Sequence, residues 1–417
     1  MGARPTFSDA ERRARLVARH HLARTARDVE TAVRAVAAQH SSDPLTPFLA
    51  AWARVPGFAV ADLERAMYEE RALWRMHAMR RTLFVVPTED APVFGGAASL
   101  DVAATERRRM IGWLEAALSK KAAAAWLDDA EAKIEAVLSE AGEATTAELT
   151  ARLPELALTI TLGSGKWTQQ ASAMPRVLYL MGMEGRVARG RPLGTWRASQ
   201  YRWMSAATFS GRAGAYGAVG SPPAAAEAEA ALLERYLATH APATTTDIRW
   251  WTGWKVSQTK RALAAVGAVP VGLEGGGEGW ILPGDEGGEL GGDGVEAQVA
   301  LLPGLDSSPM GWKERGWFLS DEVARATFDT NGNAGPAVWV GGRAVGGWAQ
   351  EPSGEVVFRL LEDVGAERER RVAEEAAALG AWLGGAQPTR ARFPSPLEKE
   401  LGGRAPKVAS AEEGEDG

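Results

Sequence analysis

Apolar residues spaced three and four apart alternate along this chain with β-prone stretches and turn residues, and their order predicts its architecture. Val29, Val33, Val36 and Ala37 share one face of a helix, and Phe48, Leu49 and Trp52 belong to another. A short signature of Thr or Val, a small residue or Thr, an acid, and Leu or Ile recurs three times. It appears as Val60-Ala61-Asp62-Leu63, Thr146-Ala147-Glu148-Leu149 and Thr245-Thr246-Asp247-Ile248. Each copy predicts a helix start, because a hydroxyl before an acidic first turn caps orphan N–H groups and the acid meets the positive end of the helix dipole. A second element and a hairpin follow each time: Leu73 to Val86, Gly185 to Trp203, and Ala268 to Leu282. In the third copy Thr246 to Thr252 predicts a helix, Gly253 its left-handed stop, and Val256 to Val266 a second helix. In the second copy the second helix is expected from about Thr168 to Met183.

Helix, turn, helix and strand pair is the winged helix-turn-helix pattern. The expected fold class is therefore α+β and predominantly helical, with winged helices over residues 8–90, 91–205 and 222–283. Strands at Ala297 to Leu302, Ala337 to Val340, Arg343 to Ala349 and Glu355 to Leu361, closed by a helix from Glu367 to Trp382, predict a β-rich domain over 296–401. Residues 284–295 and 402–417, rich in Gly and acids, read as flexible segments.

Composition narrows the chemistry. The 417 residues contain no Cys and five His, which excludes thiolate nucleophiles and Cys-ligated zinc and leaves little for another metal, so neither metal nor cofactor is expected. No apolar run reaches the roughly 18 residues needed to span a bilayer, and the amino terminus lacks the apolar core of a signal peptide; a cytoplasmic location is expected. There is no G-x-S-x-G elbow, H-E-x-x-H pair or dinucleotide fingerprint.

The formal net charge of -6 argues at first against a nucleic-acid partner, since phosphate binding needs clustered cations. The charge is segregated, however. Seven acids and ten glycines fall between Glu274 and Glu296 with no base, and four more acids lie in the last six residues, which leaves the remainder at about +5. Seven Arg against two acids occupy residues 1–27, and five Arg with no acid run from Arg186 to Arg202. Such asymmetry permits a DNA-binding face on an acidic protein, although a solvated surface has the same pattern.

Polar chemistry concentrates at Gln39-His40-Ser41-Ser42-Asp43-Pro44, between two apolar helical stretches. A purely structural account also fits: Asp43 caps the following helix and Pro44 takes its first position.

Four segments carry a family resemblance: QHSSDPLTPFLAAWAR from Gln39, RMHAMRRTLFVVP ending at Pro87, KWTQQASAMPRVLYLMGMEGRVARGRP from Lys166, and LLPGLDSSPMGWKERGWFL from Leu301. Together they resemble the winged-helix DNA-binding proteins related to the AlkZ and YcaQ DNA glycosylases. The resemblance implies a C-shaped clamp of three winged helices with a β-rich carboxyl-terminal domain. In the glycosylase members it also implies metal-independent hydrolysis of the N-glycosidic bond of bulky or crosslinked N-alkylpurines. Their catalytic motif is Gln, an apolar residue, then Gln or Asp, just before an Asp-Pro type of turn. Here a gapless count back from Asp43 puts His40, Ser41 and Ser42 at those positions, and a shift of one uses Gln39, His40 and Ser41.

An N7-alkylated purine already carries positive charge and leaves without a general acid, so orientation of water and stabilisation of the sugar cation are the needs. His40 is the candidate to orient water as a base with a pKa near neutrality, with Ser42 holding the same water and Asp43 as support. Phosphate contacts are expected from Arg80 and Arg81 in the first hairpin and from Arg186, Arg189, Arg191 and Arg197 in the second. Gln169 and Gln170 at the start of the second copy's long helix, and Lys255, Gln258, Lys260 and Arg261 on the third helix pair, complete the set. Double-stranded DNA, alkylated or crosslinked, is the expected partner of a monomer with no membrane association. The rival reading is a non-catalytic winged-helix DNA-binding protein or transcriptional regulator, favoured by the departure from the Gln motif; a scaffold that binds no DNA would suit the net charge.

Overall fold

The computed structural model describes residues 4–163, 168–210, 221–287, 295–385 and 394–402. It is a mixed α/β architecture, about half helical, with several small sheets.

The amino-terminal part runs β1 (Thr6–Phe7), α1 (Asp9–Arg19), α2 (Val29–Arg34), β2 (Gln39–His40), α3 (Thr46–Trp52) and α4 (Val60–Glu64). A hairpin of β3 (Leu73–His77) and β4 (Leu83–Pro87) follows. β2 pairs antiparallel with β4, Gln39 opposite Val85 and His40 opposite Phe84, which gives the sheet order β2-β4-β3. A short α5 (Ala91–Phe94) leads to two long helices, α6 (Leu100–Ala117) and α7 (Lys120–Ala141).

The next part is β5 (Ala144–Thr145), α8 (Thr146–Arg152), an inserted hairpin of β6 (Thr159–Leu162) and β7 (Gln169–Ser172), then α9 (Met174–Met183). The hairpin β8 (Val187–Pro192) and β9 (Tyr201–Ser205) and a short α10 (Ala206–Ser210) complete it, with sheet order β5-β9-β8. α11 (Ala225–His240), α12 (Thr245–Thr252), α13 (Val256–Ala265), β10 (Val269–Leu273) and β11 (Glu278–Ile281) form a third part. There Ala243 bridges to Trp280, and β1 adds in parallel beside β10. The final part is β12 (Val299–Leu302), α14 (Asp321–Thr327), β13 (Ala337–Val340), β14 (Arg343–Gln350), β15 (Val356–Leu360), α15 (Ala366–Leu383) and α16 (Pro396–Leu401). Its four strands form an antiparallel meander in chain order.

A repeat is present, in a different register from the one the short signature predicts. Each of the first three parts has a helix, a two-residue strand or bridge, two helices and a hairpin whose second strand pairs with that short strand. By this order the helices opened by Thr146 and Thr245 are first helices, whereas Val60 opens a second one. The signature misaligns because it reports only helix capping. Thr145 and Thr244 cap α8 and α12 through reciprocal bonds with Glu148 and Asp247. At α4 the cap residue is Ala59, with no hydroxyl, and only the Asp62 carboxylate bond to the Ala59 N–H remains.

Three further expectations change. The segment before α9 is a strand: Thr159 to Leu162 pairs with Gln169 to Ser172, and Pro175 enters the helix in its first turn. Gln169 and Gln170 therefore sit on an exposed hairpin rather than on a helix. Asp43 does not cap α3, since its carboxylate accepts the Leu45 N–H within the turn, and Pro47 rather than Pro44 occupies the first turn of α3. Asp285, in the segment expected to be flexible, is held by Arg15 at 3.0 Å and Arg19 at 2.5 Å. The rest of that segment, 288–294, and the tail 403–417 lie outside the described residues.

One buried apolar cluster runs from Phe7 through α3, β4, α11 and α12 to the meander and α15, while α6, α7, α8 and α9 share a second. The amino-terminal part and the carboxyl-terminal meander thus share one core with the third part, and the seam between the first two is where the polar motifs meet.

Candidate nucleic-acid interface

At the seam the loop 303–317 lies under β2 and α3. His40 donates its backbone N–H to Ser307 Oγ at 2.9 Å, and Ser307 Oγ donates to the Ala38 carbonyl at 2.8 Å. Thr46 Oγ1 reaches the Gly304 carbonyl, and Arg54 forms a two-point pair with Asp306 at 2.8 and 2.9 Å with neither side chain exposed. Arg54 also donates to Ser308 Oγ, whose hydroxyl contacts His20 Nδ1. Two segments 267 residues apart at the His40–Ser307 bond, QHSSDP and LDSSP, are therefore one hydrogen-bonded unit.

His40 lines a pocket of about 250 Å³ with Arg80, Thr82, Trp250, Met310, Lys313, Arg315 and the Asn331-Gly332-Asn333 turn. Its imidazole packs edge-on to Phe84. Burial, and then the Arg80 charge, lower its pKa to about 3 against a weaker opposing pull from Asp306. At neutral pH His40 is uncharged, not a base poised near neutrality as expected. Its Nδ1 accepts the Ser42 N–H at 3.4 Å, which leaves the proton on Nε2 and makes that atom a donor.

The neighbours expected to assist do not converge on the imidazole. Among the described residues no hydrogen bond joins Asp43 to His40; burial raises the Asp43 pKa, opposed by the Leu45 N–H and Arg75. Ser42 is exposed, and Gln39 is buried with its amide turned back to the His40 carbonyl.

Beside this pocket lies a larger cleft of about 700 Å³ between the first hairpin, α6 and the α12–α13 pair. Arg80, Arg81, Arg108, Arg109 and Lys255 line it against two acids, Asp101 and Glu106. Glu106 is already matched by Arg81 and Arg109. Arg80 and Arg81 occupy the β3–β4 turn with left-handed backbone, φ +52° and +63°, and Arg80 lies 4.3 Å over Trp250. Gln258 lines the cleft, but its side chain bonds the Lys255 N–H and Glu229. Lys260 is exposed on α13, and Arg261 is paired with Glu229.

The second hairpin is different. Arg186 is committed to Glu131, Glu135 and Glu184, and Arg191 to Glu64 and Glu69. Arg189 is half-buried over Tyr201 and Trp203, its pKa lowered to about 10 by burial and by Arg75. Arg197 lies in the loop between β8 and β9. Arg186 and Arg191 hold the protein's own carboxylates and Arg189 its own rings.

Sequence reasoning passed over Arg108, Arg109, Lys313 and Arg315. The run Arg107-Arg108-Arg109 was a visible signal; Arg107 turns inward to Glu131 and Glu184, and its two neighbours face the cleft. Lys313 and Arg315 had no local signal, because they reach the pocket only through the packing of the 303–317 loop.

No curated protein sequence matches the chain. Among solved structures the fold is similar to that of the Streptomyces sahachiroi DNA glycosylase AlkZ. That likeness has a TM-score of 0.65 at 19% identity, over 90% of this chain and 97% of that one. The family model described as DNA glycosylase AlkZ-like matches residues 33–382, and the chain belongs to the AlkZ-like DNA glycosylase family.

Proposed function

We propose that the chain is a metal-independent DNA glycosylase that hydrolyses the N-glycosidic bond of alkylated purines, including bulky or crosslinked ones, in duplex DNA. The three helix–helix–hairpin parts serve as tandem winged helices that grip the duplex as a monomer. The observation that carries this reading is the position of His40: it lines a pocket that opens beside a cleft lined by five cations and two acids, in a chain of this family.

The chemistry asks little of His40 as a base. A cationic purine is a good leaving group, so the barrier falls mainly through orientation and electrostatics. His40, neutral and a donor at Nε2, holds an oxygen of the attacking water or sugar in place rather than taking a proton. Asp43 stiffens the turn that presents it.

The test is abasic-site formation on a duplex carrying N7-methylguanine. The wild-type chain is expected to release the base, and His40→Ala to be slower by about 10²-fold, the cost of losing a group that positions the reactants. Release undiminished in His40→Ala would remove His40 from the mechanism. The departure from the Gln motif at His40-Ser41-Ser42 favours a second reading, a non-catalytic DNA-binding protein. Salt-dependent duplex binding with no release from any alkylated substrate would decide for it.

A further inference from the structure

The pocket that His40 lines has a charge pattern that a cationic base does not explain. Arg80 and Arg315 lie over the same indole, with their guanidinium carbons 4.3 and 4.9 Å from the Trp250 ring centre. Lys313 joins them in the lining, and the lining contains no carboxylate. Asp247 is near in charge terms, yet its oxygens are engaged by the Lys313 and Glu314 N–H groups and by Thr244. Arg315 donates its Nε–H to the Pro309 carbonyl at 2.9 Å, while its Nη2 is buried without a hydrogen-bond partner. Burial and the nearby Arg80 depress the Arg315 pKa to about 10, opposed by Asp247, so the guanidinium still carries its charge at neutral pH. His40 adds no charge of its own.

Three like charges around one small pocket repel one another, and a donor left unpaired in a buried place costs free energy until it is matched. An N7-alkylpurine, itself a cation, would add to the repulsion. An anion of tetrahedral shape would relieve both, since guanidinium groups match phosphate oxygens through paired donors. We propose that this pocket is a phosphodiester subsite: Arg80, Lys313 and Arg315 hold a backbone phosphate flanking the damaged nucleotide, and the cationic base is held elsewhere. The phosphate then sets the sugar beside His40 and supplies the negative charge that faces the developing sugar cation. This rests on the DNA-binding part of the reading above and not on the hydrolytic step.

The test uses the full chain and a duplex with a tetrahydrofuran abasic analogue, which cannot be hydrolysed. A matched duplex carries neutral methylphosphonates on both sides of the analogue. Wild type is expected to bind the methylphosphonate duplex about tenfold more weakly, and Lys313→Gln and Arg315→Ala to bind the charged duplex more weakly while losing most of that discrimination. For each variant the slope of log affinity against log salt should fall by about one. Lys313 is exposed, so its substitution keeps the test decisive if Arg315→Ala fails to fold. Equal wild-type affinity for the two duplexes would overturn the subsite while leaving DNA binding intact; no binding to either duplex would overturn the functional reading as well. Stabilisation by inorganic phosphate alone, undiminished in Lys313→Gln and Arg315→Ala, would place the anion elsewhere and equally overturn the subsite.

Discussion

Arg54 and Asp306 form a two-point ion pair with no solvent exposure, joining the turn just past the end of α3 to the loop of the carboxyl-terminal part. Neither ion has water to fall back on, so each is stable only because the other is present. The pair also supports the candidate site, since the next residue, Ser307, accepts the His40 N–H.

Removal of one partner should therefore be costly. Asp306→Ala leaves a buried guanidinium unmatched and is expected to lose about 3–5 kcal/mol of stability in urea unfolding. Arg54→Met combined with Asp306→Leu should lose less than Asp306→Ala alone. A single variant within about 0.5 kcal/mol of wild type would mean that the pair does not organise this seam.

Gly311 sits against His240, and a Cβ there would overlap the imidazole Cδ2. The ring cannot easily yield, because it is buried and stacked on Tyr236 at 4.7 Å, with Trp312 on another side at the same distance. Gly311→Ala is expected to destabilise by about 1–3 kcal/mol, the usual cost of overpacking. A thermal melt indistinguishable from wild type would contradict the packing described for the 303–317 loop.

The two arginine groups should separate in experiment. Arg108 and Lys255 line the cleft and have no ion pair among the described residues, whereas Arg186 bridges three glutamates. Arg108→Ala and Lys255→Ala should each lower duplex affinity and cut the salt slope by about one, with stability changed by no more than about 0.5 kcal/mol. Arg186→Ala should do the opposite, lowering the melting temperature while the salt slope stays constant. Reversed results would move the DNA face to the second hairpin.

Acid should unfold the protein through its histidines. His20, His40, His77 and His240 are buried, and burial, assisted in each case by a nearby positive or potentially positive group, lowers their pKa values below 6.5; His40, His77 and His240 reach about 3. Depressed values mean that the unfolded chain takes up protons the folded one refuses. The stability they contribute is complete above about pH 6.5 and declines as pH falls towards 3, by up to roughly 1.4 kcal/mol per pH unit for each histidine. Urea midpoints measured from pH 7.5 to 5 should fall, and less steeply in His77→Gln. A flat profile would show that these rings ionise in place.

The order of helices and strands was legible in the sequence wherever a local cause produces it. Thr145 and Thr244 announce their helices by reciprocal bonds with acids three positions on, and Gly253 ends α12 with a left-handed φ of +79°. The meander was legible for the same reason, with Gly341-Gly342 turning between β13 and β14. The register of the repeat was not, because capping marks any helix start, while the equivalence of β2, β5 and Ala243 exists only in strand pairing with a distant hairpin.

The sequence by itself determined that polar chemistry gathers in the run from Gln39 to Pro44 and that Arg80 and Arg81 bring positive charge to the first hairpin. Only the tertiary structure decided the state of that histidine and the company it keeps. Ionisation follows from burial and from the Arg80 charge on the adjacent hairpin, while the 303–317 loop, anchored through Asp306 to Arg54, carries Lys313 and Arg315 to the same pocket. The same logic divided the arginines: composition counts them alike, but a guanidinium is available to DNA only where folding has not already given it a carboxylate.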